Sequence, residues 1–259
     1  MIDEKVFSEL INRGVITRVG LKASDFNSVE ELKKFGYATK IESNVIYDNV
    51  VNEFEEKANL LAEFLSNVKT GGNVILPMDI TIDKPIIIEN DVNLDLNNHK
   101  IIVKSWVEDD DSTNSYAFWV KNGTLTINGN GEVITSDAEY SMAIWVNGGN
   151  AVINGGKFVN AGDGCDLIYL SSKGNLVIND GYFVPTEDIE ENSGTADLYT
   201  AINIKDSSRA NCSAVVNGGK FFMFNPANNE SEGKNTNFVA DGYEVFQDGF
   251  SYIVRKVVE

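Results

Sequence analysis

The sequence predicts an all-β solenoid with a small α-rich module ahead of it and a capping helix between the two. Three observations carry this. A short phrase recurs with little change: Thr126-Ile127-Asn128-Gly129, Val152-Ile153-Asn154-Gly155, Val177-Ile178-Asn179-Asp180 and Val215-Val216-Asn217-Gly218. Its steps, roughly 25 to 38 residues, are too long for hairpins and suit one coil of a stacked-repeat fold. From Asn73 onward, apolar residues also change from a helical period to alternation, in short β-branched segments bounded by turn residues.

The N-terminal elements are helical. Glu4–Asn12 reads as a short helix with Val6, Phe7, Leu10 and Ile11 on one face and Gly14 just beyond it. Val15–Val19 suits a short strand. Ser28-Val29-Glu30-Glu31 has the form of a capping box, opening a helix that stops near Phe35 with Gly36 as its left-handed cap. A longer helix is expected over about Asn52–Val68, with Val51, Phe54, Ala58, Leu61, Leu65 and Val68 on its apolar face and Gly71-Gly72 at its end. The open end of a solenoid exposes core and strand edges, and this helix stands where a cap is needed. Residues 1–48 are surplus to capping and suit an anchoring or docking module.

The body follows, over about residues 49–225. Val74–Leu76, Ile80–Ile82, Ile86–Ile88, Val92–Leu96 and Ile101–Val103 open it. Each later coil holds three strands. They are Tyr116–Val120, Thr124–Ile127 and Glu132–Ile134, then Ala143–Val146, Ala151–Ile153 and Lys157–Val159. Leu167–Leu170, Leu176–Ile178 and Tyr182–Val184 come next, and Ala201–Ile204, Ala214–Val216 and Lys220–Phe222 close the series. Successive strand side chains point to opposite faces. That places Phe118, Val120, Ile144, Val146, Ile168, Leu170, Ile202 and Ile204 inward in the first strands. Leu125, Ile127, Ala151, Ile153, Leu176, Ile178, Ala214 and Val216 point inward in the second, and Val133, Phe158, Phe183 and Phe221 stack in the third. Asn128, Asn154, Asn179 and Asn217 fall at the corner after the second strand, where asparagine tolerates left-handed backbone and stacked amides can bond along the axis. Residues 226–259 then supply a polar loop (about 226–237) and a hairpin cap turning at Asp248-Gly249 in type I′ form.

Val92-Asn93-Leu94-Asp95-Leu96-Asn97-Asn98-His99-Lys100-Ile101, followed by repeated Asn-Gly-Gly-Lys-Phe corners, resembles the opening and middle coils of pectin-lyase-like right-handed parallel β-helices. The resemblance covers about residues 48 to 225 and implies the fold rather than an activity, because that fold hosts lyases, hydrolases and non-catalytic fibres. The layout of helical module, capping helix and small β-helix resembles virion-surface proteins of tailed bacteriophages, such as head fibres and tailspikes.

Composition and chemistry narrow the function. The 259 residues hold 39 Asp+Glu against 21 Lys+Arg, a net charge of -18, which disfavours a nucleic-acid partner. No apolar run is long enough to span a bilayer, so no membrane role is expected, and the polar start of the chain does not read as a secretory signal. Cys165 and Cys212 read as buried or idle thiols, and the lone His99 as a turn residue. No P-loop, dinucleotide fingerprint or zinc spacing occurs, so neither cofactor nor metal is expected. The raw material for lyase chemistry would be Asp163, Asp166, Asp180 and Arg209, without the spacing of the resembling enzymes. Asp109-Asp110-Asp111 and Glu187–Glu191 read as solvated loop charge.

The outward positions are more informative. Trp119, Trp145, Tyr169 and Asn203 fall one per coil on the first strand, and Thr126, Val152, Val177 and Val215 do so on the second. Apolar stripes facing solvent mark interfaces. Trp119, Trp145, Tyr169, Val152, Val177 and Val215 are therefore the candidate binding or oligomer-interface residues. Three readings stand: loops cover the stripes, the stripes form the seam of a homo-oligomer, or the aromatic row stacks sugars. The expectation is a non-catalytic structural and binding protein of a virion surface. It would be made in the host cytoplasm, oligomeric with a trimer favoured, attached to other virion proteins through residues 1–48, and open to host surface glycans. The alternatives are a polysaccharide-cleaving β-helix enzyme and a cell-surface carbohydrate-binding or adhesin module.

Overall fold

A computed structural model describes residues 4–12, 43–109, 111–160, 166–185, 200–229, 232–233 and 235–258. The strand at Val15–Val19, the capping box at Ser28–Glu31, Gly14, Gly36, Cys165, Asp163 and the Glu187–Glu191 loop lie outside the described residues. The chain divides into two compact units, Met1–Glu63 and Phe64–Glu259. In the first, helix α1 (Glu4–Asn12) buries Val6, Phe7 and Leu10. Ile11, expected on that face, is 41% exposed, because it falls at the margin of a stripe centred on the other three.

Helix α2 (Ser43–Thr70) begins well before the expected Asn52. Its last turns open the second unit, and there Phe64 and Val68 are buried one turn apart while Leu65 is 39% exposed. The apolar face therefore runs through Phe64, one residue from the expected position. Gly71 and Gly72 end the helix with φ of 89° and 92°, a conformation glycine adopts at little cost, and the Asn90 side chain donates to the Lys69 carbonyl at 3.0 Å. No described helix is long and apolar enough to cross a membrane.

The rest is mostly strand. In chain order the first strands are β1 (Gly72–Ile75), β2 (Ile80–Ile82), β3 (Ile86–Ile88), β4 (Val92–Asp95), β5 (Lys100–Val103) and β6 (Trp106–Val107). Then come β7 (Thr113–Val120), β8 (Thr124–Asn128), β9 (Glu132–Thr135), β10 (Tyr140–Asn147), β11 (Asn150–Asn160) and β12 (Ile168–Ser171). The last are β13 (Asn175–Val184), β14 (Ile202–Ile204), β15 (Ser213–Val216), β16 (Gly219–Phe222), β17 (Tyr243–Asp248) and β18 (Ser251–Lys256). They form two largely parallel sheets. The six-stranded sheet runs β14-β12-β10-β7-β3 with β6 beside β7, and a twelve-stranded sheet holds the remainder.

Equivalent strands of successive repeats pair in register. Ile144 lies between Phe118 and Ile168, Ile153 between Ile127 and Ile178, and Phe158 between Val133 and Phe183. Every inward position of the first and third strands is buried, as are those of the second except half-buried Ala214 in the last repeat. Phe158, Phe183 and Phe221 stack with centroids 5.3 and 4.8 Å apart, nearly parallel. Each fully buried ring contributes about 2–3 kcal/mol by area alone.

The corner differs from expectation in two ways. Second and third strands join into continuous β11 and β13, with register shifts on both sides of Asn154, whereas β8 and β9, and β15 and β16, stay separate. Left-handed backbone falls on the glycines (Gly129 at 75°, Gly156 at 91°), and Asn128, Asn154, Asn179 and Asn217 keep negative φ. Those asparagines do bond along the axis, as expected, and form a ladder. The amide of Asn217 donates to Asn179 (2.9 Å), Asn179 to Asn154 (2.7 Å), Asn154 to Asn128 (2.8 Å), Asn128 to Asn93 (2.6 Å) and Asn93 to Asn73 (2.7 Å). The repeats also approach closely: a Cβ on Gly155 would stand 2.8 Å from the Gly129 carbonyl oxygen.

The C-terminal hairpin β17–β18 adds antiparallel to β16. Its two loop residues are Gly249 and Phe250, and only Gly249 has positive φ (59°), the pattern of a type II′ turn rather than the expected type I′. The polar loop before it is not fully solvated, because Glu232 is 3% exposed. Its carboxylate accepts the Ile204 amide on the open edge of β14 and pairs with Arg209 at 2.9 Å. The buried carboxylate thus covers an edge that a further strand would otherwise occupy.

Candidate functional site

The site begins as a consequence of register. On the six-stranded sheet Ile87, Trp119, Trp145, Tyr169 and Asn203 are successive partners across β3, β7, β10, β12 and β14. Trp119, Trp145, Tyr169 and Asn203 are all half-buried. They lie on the floor of a groove of about 850 Å³. The sequence placed these four side chains in one row; the row's start at exposed Ile87 was not read from it.

The walls come from segments that carry no repeat signal. β7 and β10 begin before their expected starts, which brings Asn114, Tyr140 and Met142 into the lining beside Tyr116. Strand β6 folds back antiparallel on the start of β7, and the turn between them places Glu108 and Asp109 at the rim. Asp109 and Asp111 are exposed, as expected of loop charge, and Asp109 lines the groove; Asp110 lies outside the described residues. Trp106 donates its indole N–H to Glu108 Oε1 at 2.6 Å and meets Tyr116 edge-on at 4.8 Å. Tyr116 in turn meets Trp145 edge-on at 5.8 Å.

Ring orientation decides what the row can present. Trp119 and Trp145 are stacked, with centroids 4.9 Å apart and planes 1° apart. Lys121 Nζ lies 3.9 Å from the Trp119 centroid. Both faces of Trp119 thus have partners, and a ligand meets Trp145 on the side toward Tyr169 and Asn203. Trp145 is held by its N–H to Ser171 Oγ at 2.9 Å, and Ser171 Oγ donates to Asn147 Oδ1 at 3.1 Å. The Trp119 indole nitrogen is buried without a hydrogen-bond partner.

Asp166 lines the same groove and accepts hydrogen bonds from Thr200 Oγ1 and Asn203. Burial lifts its carboxyl above the usual carboxylate range, against those hydrogen bonds, which favour the charged form. The Tyr169 hydroxyl is raised too, first by burial and then by the charges of Asp166, Asp206 and Glu232. The groove is aromatic below and electronegative at its side.

The other candidate residues are dispersed. Asp180 lines a separate polar groove with Lys100, Glu132, Lys157 and Tyr182. Arg209 is engaged by Glu232 and Asp206. His99 hydrogen-bonds Asp79 Oδ1 at 3.1 Å in a turn where Asn97 and Asn98 have φ of 49° and 62°. Asp79, which also accepts the Lys100 amide, is held below the usual range chiefly by that amide and by His99. Cys212 is half-buried, its thiol pushed up by burial. No group of three or more metal-ligating side chains occurs among the described residues.

The second stripe is in register as Thr126, Val152, Val177 and Val215, but it lies on the twelve-stranded sheet. It is flanked by the asparagine ladder and by a second polar column through Thr124, Asn150, Asn175 and Ser213. Val215 is 37% exposed; the others are half-buried. No protein-family model matches the chain, nor does any curated protein or solved structure.

Proposed function

We propose that the second unit winds as a right-handed parallel β-helix and that the protein is a non-catalytic display and binding protein whose ligand is a glycan. The winding is supported by parallel, in-register pairing of equivalent strands, and the hand by the chirality of parallel crossovers. One observation carries the ligand: the Trp119–Trp145–Tyr169–Asn203 row floors a groove of about 850 Å³ with carboxylate and amide groups beside the rings. Aromatic surface for pyranose C–H faces, with a few polar groups to fix orientation, is how such concave sites are built.

The setting we propose is a virion surface, with residues 1–48 as the attachment module and the Val152–Val177–Val215 stripe as the self-association face. Its support is layout and an apolar stripe that is half-buried at Val152 and Val177 and exposed at Val215. Glycan-array binding tests the ligand. Trp145→Ala and Tyr169→Ala, folded by circular dichroism, should lose binding that Val177→Ala retains; equal binding by all three overturns the groove. Solution mass tests the seam, which a monomeric wild type would remove.

One observation favours polysaccharide cleavage as a second reading. Asp166 is a carboxyl lifted by burial, the state a general acid requires. Release of reducing ends by the wild type, lost in Asp166→Asn, would establish turnover over display.

A further inference from the structure

We infer that the groove selects a positively charged ligand, specifically a glycan bearing free amines, over neutral or acidic glycans. This rests on the glycan reading above and adds the charge of the sugar. The described residues lining the groove include Glu108, Asp109 and Asp166, and neither Lys nor Arg is among them. With a net charge of -18 over the whole chain, an acidic polysaccharide meets repulsion both on approach and at the floor.

The aromatic surroundings add a second, independent preference. Ammonium groups already sit against this cluster: Lys121 Nζ over Trp119 at 3.9 Å and Lys84 Nζ over Trp106 at 5.3 Å. The electron-rich rings between them, Tyr116, Trp145 and Tyr169, have no such cation among the described residues. An amine placed over Trp145 or Tyr169 would meet a ring face and stand beside the Asp166 carboxylate, gaining from both. An N-acetyl group at the same place keeps the bulk and loses the charge. Selection therefore falls on the nitrogen of the sugar.

Calorimetric titration with three tetrasaccharides tests this: one of glucosamine, one of N-acetylglucosamine and one of galacturonic acid. The free-amine oligomer should bind about tenfold tighter than the acetylated one at low salt, and the acidic one should not bind. The advantage should shrink at about 0.5 M salt and in Asp166→Asn, which removes a buried charge and should fold. Below the pKa of Asp166 it should shrink again, while Trp145→Ala should weaken both binders. Equal binding of the amine and acetylated oligomers, or an advantage undiminished in an Asp166→Asn, Glu108→Gln double variant, overturns the charge selection and leaves the glycan site standing. Binding of none of the three overturns the glycan site itself. Tight binding of tetramethylammonium without any sugar would uphold the cation site and overturn the glycan.

Discussion

Replacing Asn154 by alanine measures how much of the repeat's cohesion lies in its corner. Asn154 gives one amide hydrogen bond to Asn128 and receives one from Asn179, at 2.8 and 2.7 Å. Asn217, at the end of the ladder, has one ladder neighbour, Asn179, to which it donates at 2.9 Å. Side-chain hydrogen bonds contribute about 0.5–1.5 kcal/mol each, and solvent access at this corner places these toward the lower end. Alanine and asparagine are both disfavoured in strands, so propensity nearly cancels. Asn154→Ala should therefore cost about 1.5 kcal/mol and Asn217→Ala about half that, read from equilibrium urea unfolding followed by far-ultraviolet circular dichroism. Asn154→Asp sharpens the test. An ionised carboxylate still accepts from Asn179 but has no proton for Asn128, whereas the protonated acid does. Its pKa is then higher folded than unfolded, so stability is recovered at low pH and lost as pH rises through the folded value. Equal losses at Asn154 and Asn217, or a pH-independent Asn154→Asp, would refute the ladder as a source of stability.

Other perturbations probe the core, the groove and the capped edge. Phe183→Ala, between two parallel rings, should cost about 4–5 kcal/mol in denaturant unfolding, and Phe183→Leu, which keeps most of the apolar bulk but loses the stacking, about 1–2 kcal/mol. The Asp166 carboxyl has a raised folded pKa, so its ionised form costs stability above that pKa and the cost is released on acidification. Asp166→Asn should thus melt higher than wild type near pH 7, with the gap closing as melts are taken toward about pH 4. Arg209→Met leaves the Glu232 carboxylate buried without its cation and should cost about 2–3 kcal/mol, less than a fully buried pair because the guanidinium is 44% exposed. Glu232→Gln keeps an acceptor for the Ile204 amide and should cost under about 1 kcal/mol in the same assay.

What the sequence made legible was governed by period. Phe118, Ile144, Ile168 and Ile202 could be set inward, and Trp119, Trp145 and Tyr169 outward, because alternation forces neighbouring side chains to opposite faces and pairing stacks equivalent positions. The stack of Phe158, Phe183 and Phe221 follows from the same rule. The groove walls were not legible. Tyr116 was placed at the start of a strand, but its edge contacts with Trp106 and Trp145 depend on a fold-back at Glu108–Ser112 that no alternation announces. Asp166 was noted as an acid of the wrong spacing, and only its position beside Tyr169 and Asn203 gives it a groove to line. Glu232 lay in a stretch rich in Asn, Ser and Glu, where composition reads as solvent. Its burial comes from an unpaired strand amide 28 residues earlier, a non-local demand invisible in the local pattern. At the corners the axial bonding of the asparagine amides was legible, whereas the left-handed backbone falls on the neighbouring glycines and not on the asparagines.

The ladder has a polarity: every amide donates toward the N-terminal neighbour and offers its oxygen to the one that follows. Each repeat therefore presents the same pair of sockets, an acceptor above and a donor below, whatever its loops contain. A gene segment encoding one repeat can be duplicated or deleted between Asn128 and Asn217 and still find both sockets matched. Chain length in such a protein is free to drift by whole repeats, while the loops between them diversify independently.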